Sequence, residues 1–339
     1  MRYPYFTKGL PHQQSSLRAE EIPTLDRSRM EDPAGYIPHA DLTHALNVSL
    51  VLGMPLLLTG EPGTGKTQLA YAVAHELNCP IYKFDTKSTS VARDLFYTFD
   101  AVSSFKQREI TDQRYFIRYQ ALGCAILNAF PSTLPAVLAL LPPDKSSDLH
   151  HDGPCRSVVL IDEIDKAPRD FPNDLLSEID RLYFRVTELR SVGTPGAEPG
   201  ESGVESKYRP IVIVTSNSEK GLPDPFLRRC IYFDVPFPKP EEVADIVAER
   251  ITSLGKTDLL LADALDLFYR LRHGSRETNL RKEPSTAELL NWLQMLLHRG
   301  AKPGHALKPQ KELIHETLTT LVKNAEDRRE AAEFIENRW

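Results

Sequence analysis

The chain has 339 residues, of which 41% are hydrophobic and 26% charged, with a formal net charge of −6. That length supports two domains, or one large domain with a smaller companion, and a core that needs no disulfide or metal staple. The acidic balance gives no electrostatic reason to expect nucleic acid over the whole surface, although a local basic groove remains compatible with it.

Four cysteines (Cys79, Cys124, Cys155 and Cys230) are scattered, with no CxxC pair and no histidine at zinc spacing. They read as small buried hydrophobes in a reducing cytoplasm. MRYPYFTKGLPHQQ lacks the apolar core and cleavage site of a secretory signal. The longest apolar run, VSLVLGMPLLLTG, is interrupted by Gly53 and Pro55 and is too short to span a bilayer. The expectation is a soluble cytoplasmic protein without membrane contact.

In chain order, residues 1–34 are rich in proline and charge and read as an N-terminal arm. Residues 41–52 repeat apolar side chains at helical spacing (Leu42, Ala45, Leu46, Leu50) and stop at Gly53. MPLLLTG reads as a buried strand. TQLAYAVAHEL follows as a helix with Leu69, Ala72, Val73 and Leu77 on one face, then IYKFD as a second strand. Residues 87–154 mix aromatic and polar stretches, a proline-rich helical piece, and the loop DKSSDLHHDGPC. Within that loop His150, His151 and Asp152 read as solvated rather than metal-binding, because adjacent histidines do not converge easily on one ion. SVVLIDE is the clearest strand, DLLSEIDRL a helix buried through Leu175, Leu176, Ile179 and Leu182, and LYFRVTEL a further strand candidate. A flexible loop, SVGTPGAEPGESGVESK, precedes the strands PIVIVTSN and IYFDVPF.

Apolar strands alternating with helices predict an α/β domain with a parallel sheet covered on both faces. Beyond FPKP every segment is an amphipathic helix, so a second, all-helical domain is expected after about residue 240.

GEPGTGKT, at 60–67, fits GxxxxGK[ST] between a strand and a helix, the context that pattern needs. Gly60, Glu61, Pro62, Gly63, Thr64, Gly65, Lys66, Thr67 and Gln68 are the expected nucleotide contacts. Lys66 reaches the β- and γ-phosphates, and the Thr67 hydroxyl ligates magnesium. Asp162, ending the strand VVLID, holds magnesium through water, and Glu163 activates the attacking water as general base. Asn217, emerging from PIVIVTSN, opens onto the ligand crevice and bridges the γ-phosphate and that water.

GEPGTGKT, LIDEIDKA, VTSN and LPDPFLRRC, in this order and separation, resemble an AAA+ ATPase. Over about residues 35–300 the likeness is to the MoxR group of the helix-2-insert branch; DLFYTFDA, APRDFPNDLLSEIDRL and EPSTAELLNWLQ are similar to a CoxD-like subset. The resemblance implies a three-layer αβα P-loop core at 35–240, with inserts near 95–150 and 183–208, and a helical lid at 241–339. It implies ATP and Mg2+ as cofactors, with nucleotide at the seams of a hexameric homo-oligomeric ring. Arg229, with Arg228 as a second, then reaches the γ-phosphate of the neighbouring subunit. One motif departs from the group. Where a sensor 2 arginine is expected the chain reads RKEPSTAELL, with Ser285 and Thr286 at that place, so Arg281 or Lys282 substitutes or the function is missing.

The implied activity is Mg-dependent ATP hydrolysis that remodels or matures a partner protein, of the kind that carries a von Willebrand factor A domain. Two alternatives stay open: a nucleic-acid-directed motor, which the acidic balance disfavours, and a non-hydrolysing, nucleotide-gated module in a signalling or defence assembly. The aromatics Phe96, Tyr97, Phe99, Phe105, Tyr115, Phe116 and Tyr119 are either core of an insert or a partner-facing element.

Overall fold

The structure is a computed structural model that describes residues 24–25, 27–107, 109–142, 153–189, 192–194, 208–218, 221–272 and 280–339. The loop carrying His150, His151 and Asp152, the arm up to residue 23, and most of the glycine-rich loop at 191–207 lie outside the described residues. The chain divides into two compact units. One comprises Pro38–Glu61 and Gly65–Pro236; the other comprises Phe237–Trp339, the chain up to Ile37, and Pro62–Thr64.

In the first unit the strands are β1 (Leu56–Thr59), β2 (Ile81–Asp85), β3 (Tyr97–Phe99), β4 (Ile117–Tyr119), β5 (Val158–Asp162), β6 (Arg185–Val186), β7 (Val192–Gly193), β8 (Ile211–Thr215) and β9 (Ile231–Asp234). Five form a parallel sheet in the order β2-β5-β8-β1-β9. Every residue of β1, β5 and β8 is buried, as their uninterrupted apolar runs require of strands covered on both faces. The fold class is the expected one: a P-loop αβα core with a parallel sheet, followed by helices.

The helix Ala40–Leu52 stops where Gly53 adopts φ 64° and returns its N–H to the Ser49 carbonyl. Its burial rests on Leu42 and Ser49, while Ala45, Leu46 and Leu50 are half-buried. The helix Lys66–Glu76 buries Leu69, Ala70, Val73 and Ala74. This corrects the expected face: Ala72 is only half-buried, and Leu77 lies past the last helical residue and is exposed.

The insert contains the antiparallel pair β3–β4 with Tyr97 opposite Tyr119. Phe96 stacks on Phe184 at 4.9 Å, and the Tyr97 and Tyr119 rings lie 6.2 and 6.1 Å from the same ring. These aromatics are core. Phe105 is different: it is 70% exposed, close in sequence to the exposed Val102. The strand candidate LYFRVTEL is strand only in part. The helix Phe171–Arg181 ends where Leu182 takes φ 46°; only Arg185 and Val186 then pair, with β7, before the one-turn helix Thr187–Leu189. Burial pushes the Cys124 thiol up to about 11 and raises those of Cys79 and Cys155, so none of these three is a poised thiolate.

The helical unit holds Pro240–Arg250, Leu259–Arg272, Thr286–His298, Lys311–Leu321 and Ala325–Asn337. Trp292, fully buried at its centre, satisfies its indole by donating to Thr317 Oγ1 at 2.9 Å. Buried Arg250 donates to the carbonyls of Arg29 (2.7 Å) and Asp32 (2.6 Å), tying the segment before Ile37 to these helices. Among the described residues no helix is long and apolar enough to cross a membrane.

Because Phe184 gathers three rings of the insert, Phe184→Ala is expected to cost about 3–4 kcal/mol of stability in the α/β unit. The readout is the denaturant midpoint of that unit's unfolding transition.

Candidate functional site

Buried β1 delivers the chain straight into GEPGTGK. Gly60 has φ +125°, and a Cβ there would lie 2.5 Å from the Val235 carbonyl oxygen, so a side chain is barred on both counts. Glu61, Pro62 and Gly63 are exposed, whereas Thr64, Gly65, Thr67 and Gln68 are half-buried. The helix Lys66–Glu76 starts from Gly65, which is left-handed and supplies no side-chain cap. Its first amides are left for an anion at the positive end of the helix dipole.

Lys66 is 7% exposed, and its Nζ donates to the carbonyls of Gly60 (2.7 Å) and Glu61 (2.8 Å). Burial holds its pKa below that of an ordinary lysine, against the pull of Asp165, Asp162, Asp234 and Glu163. A buried ammonium resting on its own loop's carbonyls, beside uncapped amides, is a donor set suited to a chain of phosphates. By that test these residues fit a nucleotide.

Asp162, the last residue of β5, is 8% exposed. Its Oδ1 accepts from the hydroxyls of Thr67 (2.9 Å) and Thr215 (2.6 Å), and its Oδ2 pairs with Lys83 Nζ at 3.0 Å. Burial alone would raise its pKa; the bonds from Thr215, Lys83 and Thr67 outweigh that and hold it below the usual carboxylate range. Lys83 also reaches Asp85 at 2.7 Å. Burial lowers its pKa, but the two carboxylates together hold it above the ordinary lysine value.

Glu163 is less buried, with its side chain 43% exposed. Its backbone is left-handed, at φ 57° and ψ 52°, its N–H donates to Thr215 Oγ1 at 2.9 Å, and its carboxylate pairs with Lys166. Asp165 Oδ1 accepts from Ser216 Oγ (3.3 Å) and from the Asn217 backbone N–H (3.1 Å), fixing the chain as it leaves β8. Because β5 and β1 both flank β8, the ends carrying Asp162, Asn217 and the glycine loop adjoin.

Arg228 and Arg229 sit elsewhere. They follow the one-turn helix Asp224–Leu227, anchored by fully buried Phe226, and both are exposed. In the helical unit, Ser285 caps the helix Thr286–His298 in a reciprocal pair with Glu288. Arg281 extends along the surface to Glu326 at 2.6 Å, and the backbone N–H groups of Arg281 and Lys282 donate to Asp327.

Three residues escaped sequence reasoning: Lys83, Lys166 and Thr215. A signal for Lys83 exists in IYKFD, where Lys83 and Asp85 put two charges on one face of a strand that joins the sheet through β5.

Residues 56–240, more than half of the chain, match the AAA family, the ATPase family associated with various cellular activities. The chain belongs to the AAA family. Among solved structures, a variant of Thermotoga maritima RuvB is 15% identical, with 85% of this AAA chain and 69% of that chain covered, at a TM-score of 0.44. A second RuvB from that organism, a Holliday junction branch migration motor, is 17% identical over 85% and 69%, at 0.42. The FIGL-1 AAA domain in complex with ADP is 18% identical over 88% and 82%, at 0.38. No curated protein matches the chain.

Gly60→Ala is expected to weaken binding of a fluorescent ATP analogue about tenfold or more, since both the left-handed strain and the Val235 clash act on the loop. An equilibrium titration reads this directly.

Proposed function

We propose that this AAA protein is a MoxR-like ATPase that hydrolyses ATP within a homo-oligomeric, hexameric ring and uses the cycle to remodel or mature a partner protein. The observation that carries the hydrolytic part is the pairing of two consecutive acids with different settings: Asp162 buried and bonded to Thr67, Glu163 half-exposed beside it. That division suits one acid holding a metal and the other handling a water.

In this reading Gly60 to Gln68 hold the phosphates, and Lys66 exchanges its carbonyl partners for phosphate oxygens. Thr67 and Asp162 hold Mg2+, which supplies neutralisation of phosphate charge when bound. Glu163 accepts the proton of the attacking water once its carboxylate leaves Lys166. Asn217 orients that water, its backbone already fixed by Asp165. Arg229, aided by Arg228, serves the neighbouring subunit's nucleotide; their exposure on an anchored turn supports this. The α/β unit at 35–240 is the nucleotide domain and 241–339 its lid. The motif sequence and the AAA match support the MoxR-like reading, and the partner class, one with a von Willebrand factor A domain, follows from that likeness alone.

A second reading, a nucleotide-gated module that binds without turnover, draws on two ion pairs. Lys166 engages the carboxylate of Glu163, and Glu326 engages Arg281.

Turnover per protomer measured against protein concentration separates the two. Wild type is expected to rise with concentration. Arg229→Ala is expected to lose about a thousandfold in kcat, with ATP affinity changed by less than about threefold. Glu163→Gln is expected to bind ATP and lose about a hundredfold or more in kcat, and to retain a partner protein in pull-downs. Tight binding with negligible wild-type turnover would favour the gated module.

A further inference from the structure

Thr215, the last residue of β8, is 1% exposed, and its hydroxyl is used twice. It donates to Asp162 Oδ1 at 2.6 Å and accepts the Glu163 backbone N–H at 2.9 Å. A hydroxyl has one proton, so the donor is committed to one acid and a lone pair to the peptide of the other. Register makes this possible: the β5–β8 ladder pairs Ile161 with Val214, which puts Thr215 opposite the Asp162–Glu163 peptide.

The two acids need opposite settings although they are neighbours in sequence. Asp162 stays at the buried strand end, where its Oδ1 also meets Thr67. Glu163 turns out through a left-handed backbone conformation that a residue with a side chain seldom adopts. Strain of this kind persists only when surrounding bonds hold it. The hydrogen bond from the Glu163 N–H to Thr215 is such a bond.

We propose that Thr215 is a positioning residue for both acids of the ATPase site, aiming Asp162 at the place beside Thr67 where a metal is held and keeping Glu163 turned outward. The proposal rests on the roles given to Asp162 and Glu163 above. Thr215 itself touches no reacting atom.

Thr215→Val keeps the branched shape and removes both bonds, while Thr215→Ser keeps the hydroxyl. Two quantities are measured for each: kcat and KM for ATP, and the gain in ATP affinity on going from EDTA to magnesium, by titration of a fluorescent analogue. For Thr215→Val, kcat is expected to fall about thirtyfold to a hundredfold with KM within about threefold, and the magnesium gain to shrink about tenfold. Thr215→Ser is expected to recover both to within about threefold of wild type. If Thr215→Val does not fold, Thr215→Ala carries the same expectations.

A valine variant with wild-type kcat and an undiminished magnesium gain overturns the proposal. So does a serine variant as impaired as the valine one, since packing rather than the hydroxyl would then be the cause. Glu163→Gln, assayed alongside, keeps the two ideas apart. Full turnover in Glu163→Gln sinks the base assignment, whereas an inactive Glu163→Gln beside a fully active Thr215→Val sinks only the positioning role. If wild type binds ATP without turning it over, the magnesium gain alone decides.

Discussion

The carboxylate of Asp162 is the point on which the site turns. It is buried at a strand end, and a charge in that place is tolerable only when it is paired and hydrogen-bonded. Thr67 from the helix after β1, Lys83 from β2 and Thr215 from β8 supply those bonds. Each donor arrives on a different element, so the carboxylate fastens the first turn of the phosphate-loop helix to two strands of the sheet. The sheet order serves the same end, because β5 lies between β2 and β8 and Asp162 is therefore flanked on both sides. Removing any one donor leaves part of a buried charge unmatched, which costs more than the net worth of an ordinary hydrogen bond.

Around that point the remaining polar groups fall into two sets. Lys66 is buried and held by the loop carbonyls of Gly60 and Glu61, and Lys83, nearer the surface, is held by Asp85 and Asp162. Glu163 and Lys166 face solvent together. An exposed pair of this kind contributes little to stability, so separating Glu163 from Lys166 is inexpensive, whereas moving Asp162 is not. One acid is fixed and its neighbour is free to respond.

Much of this was legible in the sequence. Uninterrupted apolar runs gave β1, β5 and β8 away as strands buried on both faces, and GEPGTGKT announced itself by its glycines and its place between strand and helix. What stayed hidden depended on register or on backbone conformation. Thr215 and Lys83 matter because of what lies on the adjoining strand, which no single segment reveals. Leu77 satisfies the periodicity of its helix but falls beyond its end, and LYFRVTEL satisfies strand propensity but begins on a left-handed Leu182. The three-residue strands of the insert are too short to show a period at all. Arg250 binds carbonyls more than two hundred residues away, a contact without local signature.

The turn that carries Arg228 and Arg229 is pinned in the core by Phe226 and runs directly into β9. β9 lies along β1 throughout its length, and at its far end the carbonyl of Val235 leaves no room for a side chain on Gly60. The exposed arginines and the phosphate loop thus sit at opposite ends of one short rod. A side chain at residue 60 would have to displace Val235, and β9, which Val235 follows, is the strand that the arginine turn feeds.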